Sequence, residues 1–403
     1  MNRAQFLRRL MAAAVFPAAC ASVSGRGKDV QAPAQSHREL AAAMQTALDA
    51  QKAKHGFPGA SAAILLPDGS MLEAATGFAD VEKSIAMKPG HRMPMGSIGK
   101  TFIAAAILAL VQDGVLRLDD KVHTYLGDRP WYPTWPNADA ITVRMLLNHS
   151  TGAPYDYIDR PDLLAKLKQT IDERTTLAAL GVTHDDYAAA LSGAAAEFPA
   201  GEGFHYTDVN YVLAAMVAET AAGASIEAQV RKGFLKPFQL SSIEAQRKTM
   251  AGVAPGYLPE AVAQQFGGLP LKSANDDGFV YDPEFEWGGG GYVGVAGDLA
   301  RWGKLYFSGA AMKGSYLAEM HASRRAEAVD ALGAEYGLAL QFIKDPKFGD
   351  RLFHGGYMLG YIAKTEYLPR YDLAVSLMIN TVDLAYAEIH QSLLDLAVAA
   401  VAS

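Results

Sequence analysis

The sequence predicts a mixed α/β (α+β) fold: one antiparallel sheet flanked by helices, built from both chain ends, with a mainly helical region inserted between them. Two observations lead there. Strand-like runs cluster at residues 60–76 and return at 336–380. Between them, up to about residue 280, helical stretches alternate with Pro/Gly-rich loops. The 403 residues are half hydrophobic and one fifth charged, enough for a substantial core in two lobes or one large unit.

The first 24 residues read as an export leader. Arg3, Arg8 and Arg9 make a positive start, residues 10–19 an apolar run, and Ala19-Cys20-Ala21 a small-residue cleavage pattern. The run is too short to span a bilayer, so cleavage and a soluble periplasmic or secreted protein are expected. A twin-arginine signal at Arg8-Arg9 and a lipoprotein cysteine at Cys20 are weaker alternatives, the second because Pro17 is odd there. Residues 25–37, polar and small, read as a linker. The folded domain is then 38–403, its α/β part about 38–112 and 285–403 and its mainly helical part about 113–284.

Leu40, Met44 and Leu48 at helical spacing predict a helix over 39–53. Two apolar runs, 60–66 and 70–76, flank Pro67-Asp68-Gly69 and predict a β-hairpin. Residues 101–111 are apolar almost all round, as a buried helix is, and Gly114 stops it. A strand is expected at 336–342, a second hairpin at 361–368 and 373–380 around Pro369-Arg370-Tyr371-Asp372, and a final helix at 385–401. The four glycines at 288–291 mark a place where backbone rather than side chain is needed.

The net charge of −7 argues against a nucleic-acid partner, and no run after the leader is long and apolar enough for a membrane helix. The single cysteine lies in the leader, so the body holds no disulfide, thiolate metal site or cysteine nucleophile.

The densest chemical signal is Met95-Gly96-Ser97-Ile98-Gly99-Lys100-Thr101-Phe102, where an irregular segment enters the buried helix. Ser97 and Lys100, three apart, share a helical face. A serine hydroxyl needs a base within hydrogen-bond reach to attack a carbonyl, and a desolvated lysine sheds its proton more readily. The Ser97 N–H, near a helix N-terminus, suits a developing oxyanion. Pro94 rules out a phosphate-binding P-loop, and Met95 rules out the Gly-x-Ser-x-Gly elbow. Ser-x-x-Lys alone is common by chance, and a helix-capping serine followed by a surface lysine is the plain alternative.

Two further pieces follow in order. Phe204-His205-Tyr206-Thr207-Asp208-Val209-Asn210-Tyr211 sits at a loop–helix junction, where a tyrosine near a lysine cation can serve as a phenolate base; a packed tyrosine is the alternative. Phe353-His354-Gly355-Gly356-Tyr357 precedes a late strand, where glycines let a ligand approach the backbone and an edge strand can pair with an extended substrate. A structural histidine in a turn is the alternative for His354.

Together these pieces resemble the serine β-lactamase-like superfamily, nearest its class C and D-alanyl-D-alanine carboxypeptidase/esterase branch. The family's Ser-x-x-Lys, Tyr-x-Asn and Lys/His-x-Gly signatures stand here as Ser97-Ile98-Gly99-Lys100, Tyr206-Thr207-Asp208 and His354-Gly355-Gly356. Phe57-Pro58-Gly59-Ala60, the run ITVRMLLNHSTG at 141–152, and Gly289-Gly290-Gly291 are also similar, and the likeness covers roughly 38–400. The resemblance implies that Ser97 is the acylated nucleophile, Lys100 its activating partner and Tyr206 the acid/base. It implies that His354 and Gly356 line the cleft, that the Ser97 and Tyr357 N–H groups form the oxyanion hole, and that no metal or organic cofactor takes part.

The sequence departs from that pattern at Asp208, where the family most often has asparagine. An ionised aspartate cannot donate to a substrate carbonyl, and beside Lys100 it favours the ammonium form. It can instead pair with a cationic substrate or cap the helix. Histidine at 354, where class C β-lactamases mostly carry lysine, shifts the expectation towards peptide, amide or ester substrates. The reading is therefore an exported serine hydrolase of ester or amide bonds acting on a small-molecule or peptide substrate through a Ser97 acyl-enzyme. A β-lactamase proper and a non-catalytic penicillin-binding or sensing protein are the alternatives.

Overall fold

The computed structural model describes residues 33–314, 316–325, 334–382 and 385–402, and the expected leader lies outside these described residues. Helix α1 spans Pro33–His55, so its first turns take in residues 33–37 of the segment read as a linker. Proline is well placed to open a helix, because the N–H it lacks would have no intrahelical partner there.

Eight antiparallel strands form the main sheet: β1 (Gly59–Leu65), β2 (Met71–Asp80), β3 (Ile85–Ala86), β4 (Glu335–Tyr336), β5 (Gln341–Asp345), β6 (Gly349–Met358), β7 (Tyr361–Leu368) and β8 (Leu373–Ile379). Their order is β3-β2-β1-β8-β7-β6-β5-β4. The chain ends meet at β1 and β8, paired from Ala60↔Ile379 to Leu65↔Ala374. The first hairpin forms as the Pro67-Asp68-Gly69 turn requires: Gly69 has φ +86°, and Ser70 N–H donates to Asp68 Oδ1 at 2.9 Å.

The strand expected at 336–342 is interrupted. Gly337 N–H donates to the Leu340 carbonyl at 2.7 Å and Ala339 has φ +50°, so a tight turn divides β4 from β5. Periodicity cannot show such a turn when its residues are as apolar as the strands around it.

Both faces of the sheet are covered, which is why every residue of β1 and β8 is buried. On one face, α1 and α5 (Tyr386–Val401) place Leu40, Met44, Leu48, Ile389 and Leu393 against Ile64, Val375 and Leu377. On the other lie α4 (Ala296–Ser308) and, beyond it, the inserted region with the buried helices α2 (Lys100–Gln112) and α3 (Asp208–Ala222). Gly114, φ +71°, ends α2 as expected. A small sheet of Met93–Pro94, Tyr292–Gly294 and Glu244–Ala245 ties the insertion to the segment that leads into α2. Among the described residues, no single helix is long and apolar enough to cross a membrane.

Candidate active site

Ser97 lies in a 3₁₀ turn, Gly96–Gly99, that runs straight into α2 at Lys100. Gly96 has φ +52°, and a Cβ there would lie 2.6 Å from the Tyr357 nitrogen. A Cβ on Gly356 would overlap the Met95 carbonyl oxygen and lie 3.2 Å from the Ser97 nitrogen. The Ser97 turn and β6 therefore touch backbone to backbone, which brings together the segments bearing the Ser97 and Tyr357 N–H groups. Gly356→Ala is expected to cost about 1–3 kcal/mol of stability and most of the activity, since only backbone stands in the way of the new methyl. A thermal melt beside a turnover assay checks this, and an unchanged variant contradicts it.

Lys100 is fully buried. Its Nζ donates to Ser97 Oγ at 3.0 Å, to Asp208 Oδ1 and to the Gly289 carbonyl. Three partners match the three protons of an ammonium. If one proton leaves, the bonds to Asp208 and Gly289 still hold the amine, and the freed lone pair faces Ser97. The glycine run thus serves as expected, by offering a carbonyl where a side chain would block it.

Two more carboxyl groups adjoin the pair. The Asp208 N–H donates to Asp156 Oδ2 at 2.5 Å, and a Cβ on Gly289 would fall 3.6 Å from Glu286 Oε2. Burial, then the Asp208 charge, raises Asp156 to about 8. The same two causes push Glu286 well above the usual carboxylate range, and Lys100 only partly offsets them. Like charges around one lysine cannot all ionise cheaply, so the site retains protons near neutrality. Asp208 is the first residue of α3, where a negative charge also suits the helix dipole, and Thr207 occupies the N-cap position.

Tyr206 stands over this pair, its ring 5.1 Å from Lys100 Nζ. Its hydroxyl is buried without a well-formed hydrogen bond. Burial first and Asp208 second push the phenol well above its ordinary value, and the Ser97 hydroxyl pulls only partly the other way. The resting group is a neutral phenol beside Ser97, not the phenolate that proximity to lysine suggested. Burial, with Asp208 second, reverses the expected sign.

His354 is not in a turn before a strand but within β6, 2 % exposed. Its Nδ1 donates to the Gly355 carbonyl at 2.6 Å and its Nε2 accepts from the Tyr336 hydroxyl at 2.9 Å; the tautomer follows from these partners. Burial lowers it to about 3, so it is neutral and offers no cation to a substrate. The edge-strand expectation holds over half of β6. β5 pairs only with residues 349–353, which leaves the 354–358 side unpaired by strand, with Gly355 N–H held by Gln341 Oε1 at 3.1 Å.

The sequence reading passed over His149, Asp156 and Glu286. His149 has φ +57° and stacks 4.2 Å from the Tyr206 ring. Its Nδ1 faces Thr207 N–H at 3.4 Å and Asn210 Nδ2 at 3.3 Å. Burial holds it well below its ordinary value. His390, on the buried face of α5, is lowered by burial to about 3. A base depressed in the fold stabilises above its unfolded pKa, ~6.5 for histidine, and that contribution is lost as pH falls. His390→Gln is therefore expected to lessen the loss of melting temperature towards acid, measured calorimetrically beside the parent between pH 7 and 4; parallel profiles contradict the assignment.

The chain matches the Beta-lactamase family model over residues 40–399. It is similar to penicillin-binding protein 4* of Bacillus subtilis (strain 168), 25% identical over 330 residues, 79% of this chain and 67% of that one. It is also similar to protein flp of Staphylococcus aureus (strain NCTC 8325 / PS 47), 26% identical over 198 residues, 49% of this chain but 37% of flp. The alignment thus spans little more than a third of flp's length. In fold it resembles a D-stereospecific amidohydrolase from Streptomyces sp., with TM-score 0.72, 24% identity, and coverage of 87% of this chain and 97% of that one. A D-amino acid amidase from Ochrobactrum anthropi SV3 gives TM-score 0.71 and 22% identity, with 90% and 99% covered. With the family model spanning the sheet, the Ser97 turn and the helices between, the chain belongs to the Beta-lactamase family.

Proposed function

We propose that the protein hydrolyses amide or ester bonds through a Ser97 acyl-enzyme, with D-amino acid amides and peptides as its first substrate class. The contact that carries this is Lys100 Nζ to Ser97 Oγ at 3.0 Å, fixed from behind by Asp208 and Gly289. Ser97 Oγ attacks the acyl carbonyl while its proton passes to the Lys100 amine, and the oxyanion is held by the Ser97 and Tyr357 N–H groups. The C–N or C–O bond then breaks as the neutral Tyr206 phenol gives its proton to the leaving group, and water releases the acid by the reverse route. His354 acts as a positioning residue through Tyr336, and Gly356 seats the strand. D-amino acid amides come first because the proteins that share the fold include a D-stereospecific amidohydrolase and a D-amino acid amidase. The first 24 residues support export, which N-terminal sequencing of the protein secreted by its host tests.

The test is a panel of D- and L-amino acid amides, D-alanyl peptides, simple esters and nitrocefin, with Ser97→Ala as blank. Turnover of amides or esters that the blank lacks supports the reading, and turnover of none contradicts it. Rapid nitrocefin hydrolysis would favour a β-lactamase proper. The Lys100–Asp208 pair favours one second reading, a slow penicillin-binding protein, because it ties the lysine to a carboxylate beside Ser97. Asp208→Asn breaks that ion pair, so the acyl-enzyme is expected to turn over about tenfold faster or more. Turnover unchanged in the variant contradicts the assignment of Asp208.

A further inference from the structure

Away from Ser97, a cleft of about 940 Å³ opens between the segment around 225–240 and the small sheet, a volume in the range of small-molecule sites. Its wall carries Arg231 and Lys236, both exposed and, among the described residues, without an ion-pair partner. Its carboxylates are already neutralised: Glu227 pairs with Arg247 and Glu244 with Arg92. The balance at the wall is therefore positive in a chain whose net charge is −7.

The floor holds the second observation. Tyr292 is 3 % exposed and lines both the cleft and an adjoining recess, yet its hydroxyl has no hydrogen-bond partner. Gln246, 1 % exposed and lining the same recess, has an unpartnered Oε1. Buried polar atoms are rarely left unpaired. Gln246 faces only the recess, about 10 Å³ and room for a single water, so it is the Tyr292 hydroxyl on the cleft side that points to a ligand acceptor.

This floor is the back of the nucleophile turn. The Tyr292 carbonyl accepts from Met95 N–H at 3.0 Å, and Val293 and Gly294 pair with Pro94 and Met93. The Tyr292 ring packs 5.1 Å from Phe102 of α2, and Gly289, whose carbonyl holds Lys100, lies three residues before it. We propose that the cleft is an effector site for a small polyanion bearing phosphate or carboxylate groups, whose binding stiffens the turn that carries Ser97. Arg231 and Lys236 hold the anion, and the Tyr292 hydroxyl donates to it.

Calorimetric titration of the full chain with inorganic pyrophosphate and with citrate tests this and separates the phosphate from the carboxylate source. Binding needs no turnover, so a failure here is distinct from a failure of the hydrolase reading. Saturable binding of either probe is expected, weakened about tenfold or more in Arg231→Gln/Lys236→Gln and again in Tyr292→Phe. Amide hydrogen exchange across 93–97 is expected to slow when the probe binds. No saturable binding of either anion overturns the proposal. So does binding undiminished in the double variant, or binding that leaves exchange at 93–97 unchanged.

Discussion

Lys100→Met is expected to lower kcat/KM for an amide or ester substrate by about 10²–10⁴-fold, the range of a lost general base. Methionine fills nearly the same volume, so packing around α2 survives. What goes is the one cation that touches Ser97 Oγ, Asp208 Oδ1 and the Gly289 carbonyl. Its loss also leaves Asp208, Asp156 and Glu286 facing one another. Carboxyl groups raised in the fold contribute stability below their unfolded values, and that contribution is lost as pH rises through the folded ones. The variant's melting temperature is therefore expected to lose ground against the parent's as pH rises from 5 to 8. A variant within about tenfold of the parent, with a parallel pH profile, would remove lysine from the mechanism.

Glu366→Ala is expected to cost about 3–5 kcal/mol of stability, because it strips the anion from a buried charge network. Glu366 on β7 is 0 % exposed. Arg351 Nη2 lies 3.1 Å from it, Lys364 Nζ 3.1 Å and His390 Nδ1 3.7 Å. Burial alone would raise its carboxyl, but Lys364 and then Arg351 outweigh this and hold it far below the usual range. Without it, Arg351 keeps Asp345 but loses its buried carboxylate partner, and Lys364 loses the anion beside it. Strand residues alternate in direction, and His354 pairs with Thr365, so Glu366 points to the face opposite His354. Activity per folded molecule should therefore be kept. Urea unfolding measures the loss, and a change below about 1 kcal/mol contradicts a structural role.

The strands and buried helices were legible because their signals are local: alternation and turn residues in the 60–76 hairpin, an apolar run in α2. The Ser97–Lys100 pair was legible because three residues of helix bring it together without help from the fold. Asp208 could be named but not weighed, since its effect depends on Asp156 and Glu286, which arrive from loops 52 and 78 residues away in sequence. His149 escaped because nothing in its own stretch reports the stack against Tyr206. His354 was found on its strand, but its neutrality was not legible, because sequence gives a histidine's position and not its burial.

The central claim is that Ser97 is the nucleophile, and intact-protein mass spectrometry with a fluorophosphonate or a penicillin tests it most directly. A mass gain of one adduct in the parent, absent in Ser97→Ala and slowed in Lys100→Met, is the predicted result. An adduct of equal yield in Ser97→Ala, or none with either probe, would contradict it.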